Sequence, residues 1–107
     1  TMISAPLIKP KTTIKTAHLP PYNVVVHDDP HHTIPFVLEL FKRVLRVDHR
    51  RAKELTMQVH KNGKCVAFTG TLEVAELKQE MLTNCGTDTY DTVPVDRPMT
   101  VTLERVH

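Results

Sequence analysis

The chain has 107 residues, 40% of them hydrophobic and 24% charged, and its net charge is +2 when histidine is neutral, which predicts one soluble globular domain. Basic and acidic residues are interleaved and only 5% of the residues are aromatic, which argues against nucleic acid as a partner. No apolar run approaches the roughly 20 residues that cross a bilayer, and no secretory signal is visible, so we expect a cytoplasmic protein, no membrane partner and free thiols at Cys65 and Cys85.

Residues 1–21 differ in composition from the rest of the chain. They contain four prolines and three spaced lysines, but no acidic residue and no periodic apolar face. This composition predicts a flexible, extended and basic N-terminal extension. We therefore place the folded domain at residues 22–107.

The first predicted elements are a strand and a helix joined by an acidic turn. The β-branched run YNVVVH predicts the strand, and Asp28, Asp29 and Pro30 follow it as a turn. The apolar residues of FVLELFKRVL recur at helical spacing and predict the helix, and Thr33 is a suitable residue to cap its start.

Four further elements follow in the order α-β-α-β. Asp48 can cap a second helix, which carries Thr56 and Val59 on its apolar stripe and ends at His60 before the turn KNGK. CVAFTG predicts a strand, LEVAELKQEMLTNC a third helix with Gly86 as its C′ residue, and MTVTLERV a half-buried strand. The sequence thus predicts an α+β fold, β-α-α-β-α-β, with three helices packed on one face of a three-stranded antiparallel sheet.

Residues with the chemistry of a binding site lie in the acidic turn and at the end of the second helix. Asp28, Asp29 and His60 offer acceptors that suit a primary ammonium, which has three donors and is mostly protonated at the N-terminus of a peptide at neutral pH. Neighbouring apolar residues would hold the first side chain of that peptide: Ile34, Val59 and Met99.

Other interpretations of the same residues stay open. Acidic turns are commonly solvated turn formers, and a histidine at a helix end commonly interacts with the helix dipole. The histidines and aspartates of residues 27–32 are also metal-ligand types, so a metal-binding protein is the alternative function, although the spacing of a helical zinc site is absent. No Ser-His-Asp or Cys-His order and no glycine-rich phosphate loop is visible, so we expect no enzyme and no cofactor.

Six short segments, common singly, are specific together in this order. They are YNVVVHDDP, FV at 36–37, VH at 59–60, GK at 63–64, AELK at 75–78 and TLE at 102–104. In this respect residues 22–106 resemble the ClpS family of N-degron adaptors. The resemblance implies a ClpS-like fold and a monomeric adaptor that binds proteins with a bulky hydrophobic first residue and delivers them to the AAA+ unfoldase of the Clp protease.

The resemblance also implies roles for individual residues. In the family an Asn, an Asp and a His hold the α-amino group, and the gap-free alignment places Asp28, Asp29 and His60 at these positions; a one-residue slip would place His27 at the Asn position. Ile34 matches a gatekeeper methionine. Thr56 stands where many members carry a pocket methionine, which implies a roomier and more polar pocket that favours Phe, Tyr or Trp over Leu.

Three further expectations follow from the resemblance. Glu73 and Lys78 match positions that contact the N-terminal domain of the unfoldase, and residues 1–21 match an extension that takes part in delivery. The loop at 85–97 is longer than the family norm, and we expect it to hang in water. A third hypothesis is a structural interaction domain similar to the C-terminal domain of the ribosomal stalk protein, which would need no acidic pocket.

Overall fold

The structure is a computed structural model that describes residues 19–107. Most of the predicted N-terminal extension, residues 1–18, lies outside the described residues. The described part contains the predicted α+β fold with its predicted order of elements. The elements are β1 (Tyr22–His27), α1 (Ile34–Leu45), α2 (His49–Asn62), β2 (Lys64–Gly70), α3 (Leu72–Thr83) and β3 (Thr100–Arg105).

The three strands form one antiparallel sheet in the order β2-β1-β3. Val26, near the end of the central strand β1, lies opposite Cys65 on β2 and Val101 on β3. Just beyond this strand, the backbone N–H of Asp28 donates to the carbonyl of Gly63 over 2.8 Å. Because Gly63 follows α2 directly, this bond brings the acidic turn beside the C-terminal end of α2.

The hydrophobic core lies between the sheet and the helices. Val24 and Val26 of β1 are fully buried. The largest buried side chains of the first two helices are Leu40 and Phe41 on α1 and Leu55 on α2. Burying a side chain of this size stabilises the fold by roughly 1.5–3 kcal/mol. The valines of β1 suit its place as the central strand of the sheet, because branched side chains pack well in a buried strand.

The predicted N-caps Thr33 and Asp48 are confirmed, whereas two predicted helix ends are wrong. Thr33, Asp48 and Thr71 each accept a backbone N–H in the first turn of α1, α2 and α3. The helix α2 continues two residues past His60 and ends at Asn62, because Gly63 adopts the left-handed conformation with φ 87°. The cap of α3 is Asn84, so Gly86 lies beyond the C′ position that we predicted for it.

Two simpler expectations also have an outcome. Cys65 and Cys85 are both buried and free, as predicted. Within residues 19–107, no helix combines the length and the apolar character that crossing a bilayer requires.

Candidate functional site

A cavity of about 400 Å³ opens where the acidic turn meets the start of α1 and the end of α2. Its mouth is polar, because the side chains of Asp28 and His60 are exposed there. Its interior is formed by Thr56, Val59 and Met99, each at most 4% exposed. All seven residues predicted for the α-amino and side-chain sites line this one cavity: Asp28, Asp29, Ile34, Thr56, Val59, His60 and Met99.

The two residues predicted to contact an unfoldase lie elsewhere, on α3. Glu73 is exposed in the first turn of this helix. The ammonium of Lys78 donates to the carbonyl of Val44 over 2.8 Å and lies 5.9 Å from the centre of the Phe68 ring. Since Val44 is near the C-terminal end of α1, Lys78 also satisfies a free carbonyl of that helix.

The carboxylate of Asp29 has three donors within the turn. Its Oδ1 accepts the backbone N–H groups of His31 and His32 at 2.9 and 2.8 Å, and its Oδ2 lies 2.8 Å from Nδ1 of His32. Burial alone would raise the pKa of Asp29, but these hydrogen bonds and the nearby imidazole bring the pKa below its ordinary value. Asp29 is therefore ionised at neutral pH, with its oxygens held in a fixed direction.

Behind Asp29, the imidazole of His32 and the thiol of Cys85 complete a row of polar groups that the sequence analysis missed. Nε2 of His32 lies 3.8 Å from Sγ of Cys85. A cysteine beside a histidine that contacts an aspartate is the arrangement that activates a catalytic cysteine. Here burial raises the pKa of Cys85, so the thiol stays protonated at neutral pH and is a poor nucleophile. No local spacing in the sequence joins Cys85 to residues 29–32, so only the folded chain shows this row.

Two of the three turn histidines, His27 and His32, have ring contacts with other side chains of the protein. Nε2 of His27 lies 2.8 Å from the Thr102 hydroxyl, and His32 faces Asp29 and Cys85 as described. Among the residues from 19 onward, no three His, Cys, Asp or Glu side chains are grouped so that they could hold a metal ion. The geometry of residues 27–32 thus gives the metal-binding hypothesis no support.

The loop at 85–97 does not hang in water, which corrects our expectation. Asp88 is 1% exposed, and its carboxylate accepts the backbone N–H groups of Thr33 and Tyr90 at 2.7 and 3.1 Å. Asp88 and Val95 also exchange two backbone hydrogen bonds of 2.8 Å, which close the loop into a small hairpin. The loop is thereby fixed beside the N-cap of α1, and its Asp91 lines the cavity.

The carboxylates of Asp29 and Asp88 should make the stability of the fold fall in acid. Burial alone would raise the pKa of Asp88, but the hydrogen bonds from Thr33 and Tyr90 bring it below the ordinary value of 3.8, and the pKa of Asp29 is likewise lowered. A lowered folded-state pKa stabilises the fold above pH 3.8, and this stabilisation is lost as the pH falls through the lower folded-state value. The free energy of unfolding, measured by urea denaturation between pH 7 and pH 2, should show this loss of stability.

The matched control for the acid effect is Asp88→Asn. This variant cannot take up a proton at residue 88, so its stability should fall less steeply below pH 4 than that of the unmodified chain. Equal slopes in the two proteins would show that Asp88 does not have a lowered pKa.

Residues 17–93 match the sequence model of the family described as "ATP-dependent Clp protease adaptor protein ClpS". The chain belongs to the ClpS family. Its relatives include the ClpS adapter protein of Vibrio atlanticus, with 32% identity over 94% of this chain and 87% of that protein, and that of Vibrio cholerae, with 36% identity over 72% of this chain and 71% of that protein.

A solved structure of the ClpS family shares the fold. It is ClpS2 of Agrobacterium tumefaciens bound to L-phenylalaninamide, which is similar with a TM-score of 0.70 and 22% identity over 83% of this chain and 100% of that chain. At this identity the likeness shows the fold alone. ClpS proteins are adaptors of the Clp protease, so family membership is consistent with the expectation that the chain is not an enzyme.

Proposed function

We propose that the cavity binds the free α-amino group and the bulky hydrophobic first side chain of N-degron proteins, which the chain then delivers to a Clp AAA+ unfoldase. One observation carries the proposal: Asp28, Asp29 and His60 surround the mouth of a cavity whose interior is buried and largely apolar. The ClpS2 neighbour is bound to a small molecule with the same two features, an amine and an aromatic side chain.

The mouth of the cavity suits a protonated amine. An α-ammonium has three N–H donors, and the two carboxylates and one imidazole supply three acceptors. Asp28 stands where the family has asparagine, which adds a negative charge close to the bound cation. The carboxylate of Asp28 has no hydrogen-bond partner within residues 19–107, so it is available to a ligand.

The alignment without a gap is supported by the contacts of His27. His27 and Asp28 both line the cavity, but Nε2 of His27 lies 2.8 Å from the Thr102 hydroxyl of β3, whereas the exposed carboxylate of Asp28 follows the strand. A slip that placed His27 at the Asn position would leave only Nδ1 of its ring for the ammonium, since Nε2 is engaged with the Thr102 hydroxyl. We therefore keep Asp28 and Asp29 as the acidic pair of the site.

The interior suits an aromatic first side chain. Threonine is smaller than the methionine found at position 56 in many members of the family, which leaves room for Phe, Tyr or Trp. The hydroxyl of Thr56 donates to the carbonyl of Ala52 over 2.7 Å, so this wall is less polar than the sequence implied. Val59 and Met99 complete the apolar lining, and Ile34, 40% exposed, lies at the edge as the proposed gatekeeper.

The proposal is tested by fluorescence anisotropy with labelled peptides that differ only at their N-terminus. We expect a Phe-initiated peptide to bind, its acetylated twin to bind at least tenfold more weakly, and a Ser-initiated twin to show a similar loss. Peptides that begin with Tyr, Trp and Leu then give the order of preference. Affinity that ignores acetylation of the amine would end the proposal.

Filling the space beside Thr56 should change this preference. We expect Thr56→Met to weaken binding of a Trp-initiated peptide about tenfold and that of a Leu-initiated peptide by less than threefold, because only the larger ring needs the vacated volume. Gln58→Met, on the exposed side of the same helix, is the matched control and should leave both affinities unchanged. Equal losses for both peptides in Thr56→Met would contradict this account of the pocket.

Delivery is the second part of the proposal. Glu73 is exposed and free to contact the N-terminal domain of the unfoldase, whereas Lys78 is partly held by Val44, so of the two we give Glu73 the larger role. A monomer located in the cytoplasm remains our prediction. The part that residues 1–18 take in delivery lies outside the described residues.

A further inference from the structure

The polar row behind the mouth of the cavity contains a residue whose role the family pattern does not supply. We propose that His32 is a positioning residue: it does not itself bind the α-ammonium but fixes the carboxylate of Asp29 that does. This inference rests on the proposed function and identifies how the acceptor is held. It follows from three features of the structure.

The first feature is the hydrogen-bonding capacity of Asp29. A carboxylate has about four lone-pair positions, two on each oxygen. Oδ1 accepts two backbone N–H groups, from His31 and His32, and is therefore full. Oδ2 accepts Nδ1 of His32 and keeps one position, so Asp29 can accept one hydrogen bond from a ligand. The direction of that position depends on the imidazole that occupies the other one.

The second feature is the confinement of the His32 ring. Its side chain is 1% exposed, whereas that of Asp29 is 15% exposed. The ring stacks on Phe36 with their centroids 5.3 Å apart and an angle of 20° between the planes, and Cys85 lies at its far nitrogen. The ring is thus held by its own packing, and together with the backbone N–H groups on Oδ1 it sets the position of Oδ2.

The third feature is the tautomer that these contacts require. Asp29 is ionised at neutral pH, so the Nδ1 atom that faces its Oδ2 must carry a proton and donate it. Cys85 lies on the Nε2 side, at the opposite edge of the ring. A ring that donates from Nδ1 to a carboxylate is the arrangement by which carboxylates orient functional histidines; here the histidine orients the carboxylate instead.

A double-mutant cycle tests the inference, with binding of a Phe-initiated peptide as the readout. We expect His32→Leu to weaken binding about tenfold, and His32→Asn, whose amide nitrogen can replace Nδ1, to recover most of the affinity. In the Asp29→Ala background, His32→Leu should change the affinity by less than twofold, because nothing remains to be positioned. His49→Leu, at the exposed start of α2, is the matched control and should bind like the unmodified chain.

The outcomes separate the inference from the proposed function. If the unmodified chain ignores the N-terminus of the peptide, the proposed function and this inference both fail. If Asp29→Ala weakens binding but His32→Leu does not, or weakens it equally with and without Asp29, the inference alone fails. Thermal unfolding of each variant accompanies the cycle, since a purely structural role would lower stability without rescue of affinity by asparagine.

A spectroscopic measurement on the unmodified chain needs no variant to fold. Long-range proton–nitrogen NMR correlations should show His32 protonated at Nδ1, and its Nδ1 signal should shift when the Phe-initiated peptide is added. The acetylated peptide should leave that signal in place. A proton on Nε2 alone, or a signal that does not respond to the free amine, would overturn the inference.

Discussion

Replacing Asp29 by alanine is expected to weaken binding of a Phe-initiated peptide by about 1 to 3 kcal/mol, or roughly 5- to 150-fold. The change removes the acceptor proposed for the α-ammonium and also frees the backbone N–H groups of His31 and His32, which Asp29 holds at 2.9 and 2.8 Å. Isothermal titration calorimetry with the unlabelled peptide measures the loss. We expect the same range for His60→Ala, which removes the acceptor at the end of α2.

Three comparisons show whether these losses belong to the amine. Asp29→Asn keeps the shape of the side chain and removes its charge, so it should lie between alanine and the native residue. His49→Ala, an exposed histidine at the other end of α2, should have no effect on binding. In the acetylated peptide, which lacks the cation, Asp29→Ala and His60→Ala should cause no further loss. Losses of equal size for both peptides would contradict the assignment.

The second large effect is expected on stability, from Asp88→Ala. This substitution removes the acceptor of the Thr33 and Tyr90 N–H groups from a position that is 1% exposed, and it detaches the loop at 85–97 from the N-cap of α1. Loss of a buried, hydrogen-bonded carboxylate should lower the free energy of unfolding by about 2 to 4 kcal/mol. Urea denaturation followed by far-UV circular dichroism measures this value.

The matched control for Asp88 lies in the same loop. Asp96 is exposed and accepts one long bond of 3.4 Å from the Thr87 hydroxyl, so Asp96→Ala should change stability by less than about 0.5 kcal/mol. Asp88→Asn keeps one acceptor oxygen and should fall between the two. If Asp88→Ala were as stable as Asp96→Ala, the loop would not be fixed by this carboxylate.

The fold could be predicted because its signals are local. The valines of β1 and the helical spacing of α1 identify these elements within a few residues, and Thr33, Asp48 and Thr71 mark helix starts through contacts only three residues along the chain. The end of α2 was predicted two residues too early, at His60, because a histidine is well suited to the last turn of a helix. Gly63 decides it, since it takes a positive φ at little cost.

The candidate site was predicted in part, and the missing part depends on contacts far apart in sequence. Asp28, Asp29 and His60 come together because β1 and α2 end side by side, which the order of elements and the resemblance already implied. The contacts of Asp88 with Thr33 and of Cys85 with His32 join residues more than fifty positions apart. A buried aspartate in a polar loop has no periodic pattern, so only the folded chain identifies it.

The most direct test of the account is the position of a bound Phe-initiated peptide, measured by intermolecular NOEs in solution. We expect the ring protons of the first residue to contact the methyl groups of Thr56, Val59 and Met99, and the first Cα proton to lie close to His60. The acetylated peptide should give no such contacts. Contacts confined to the outer face of α3, around Leu72 and Glu73, or a ring that never enters the cavity, would contradict the account.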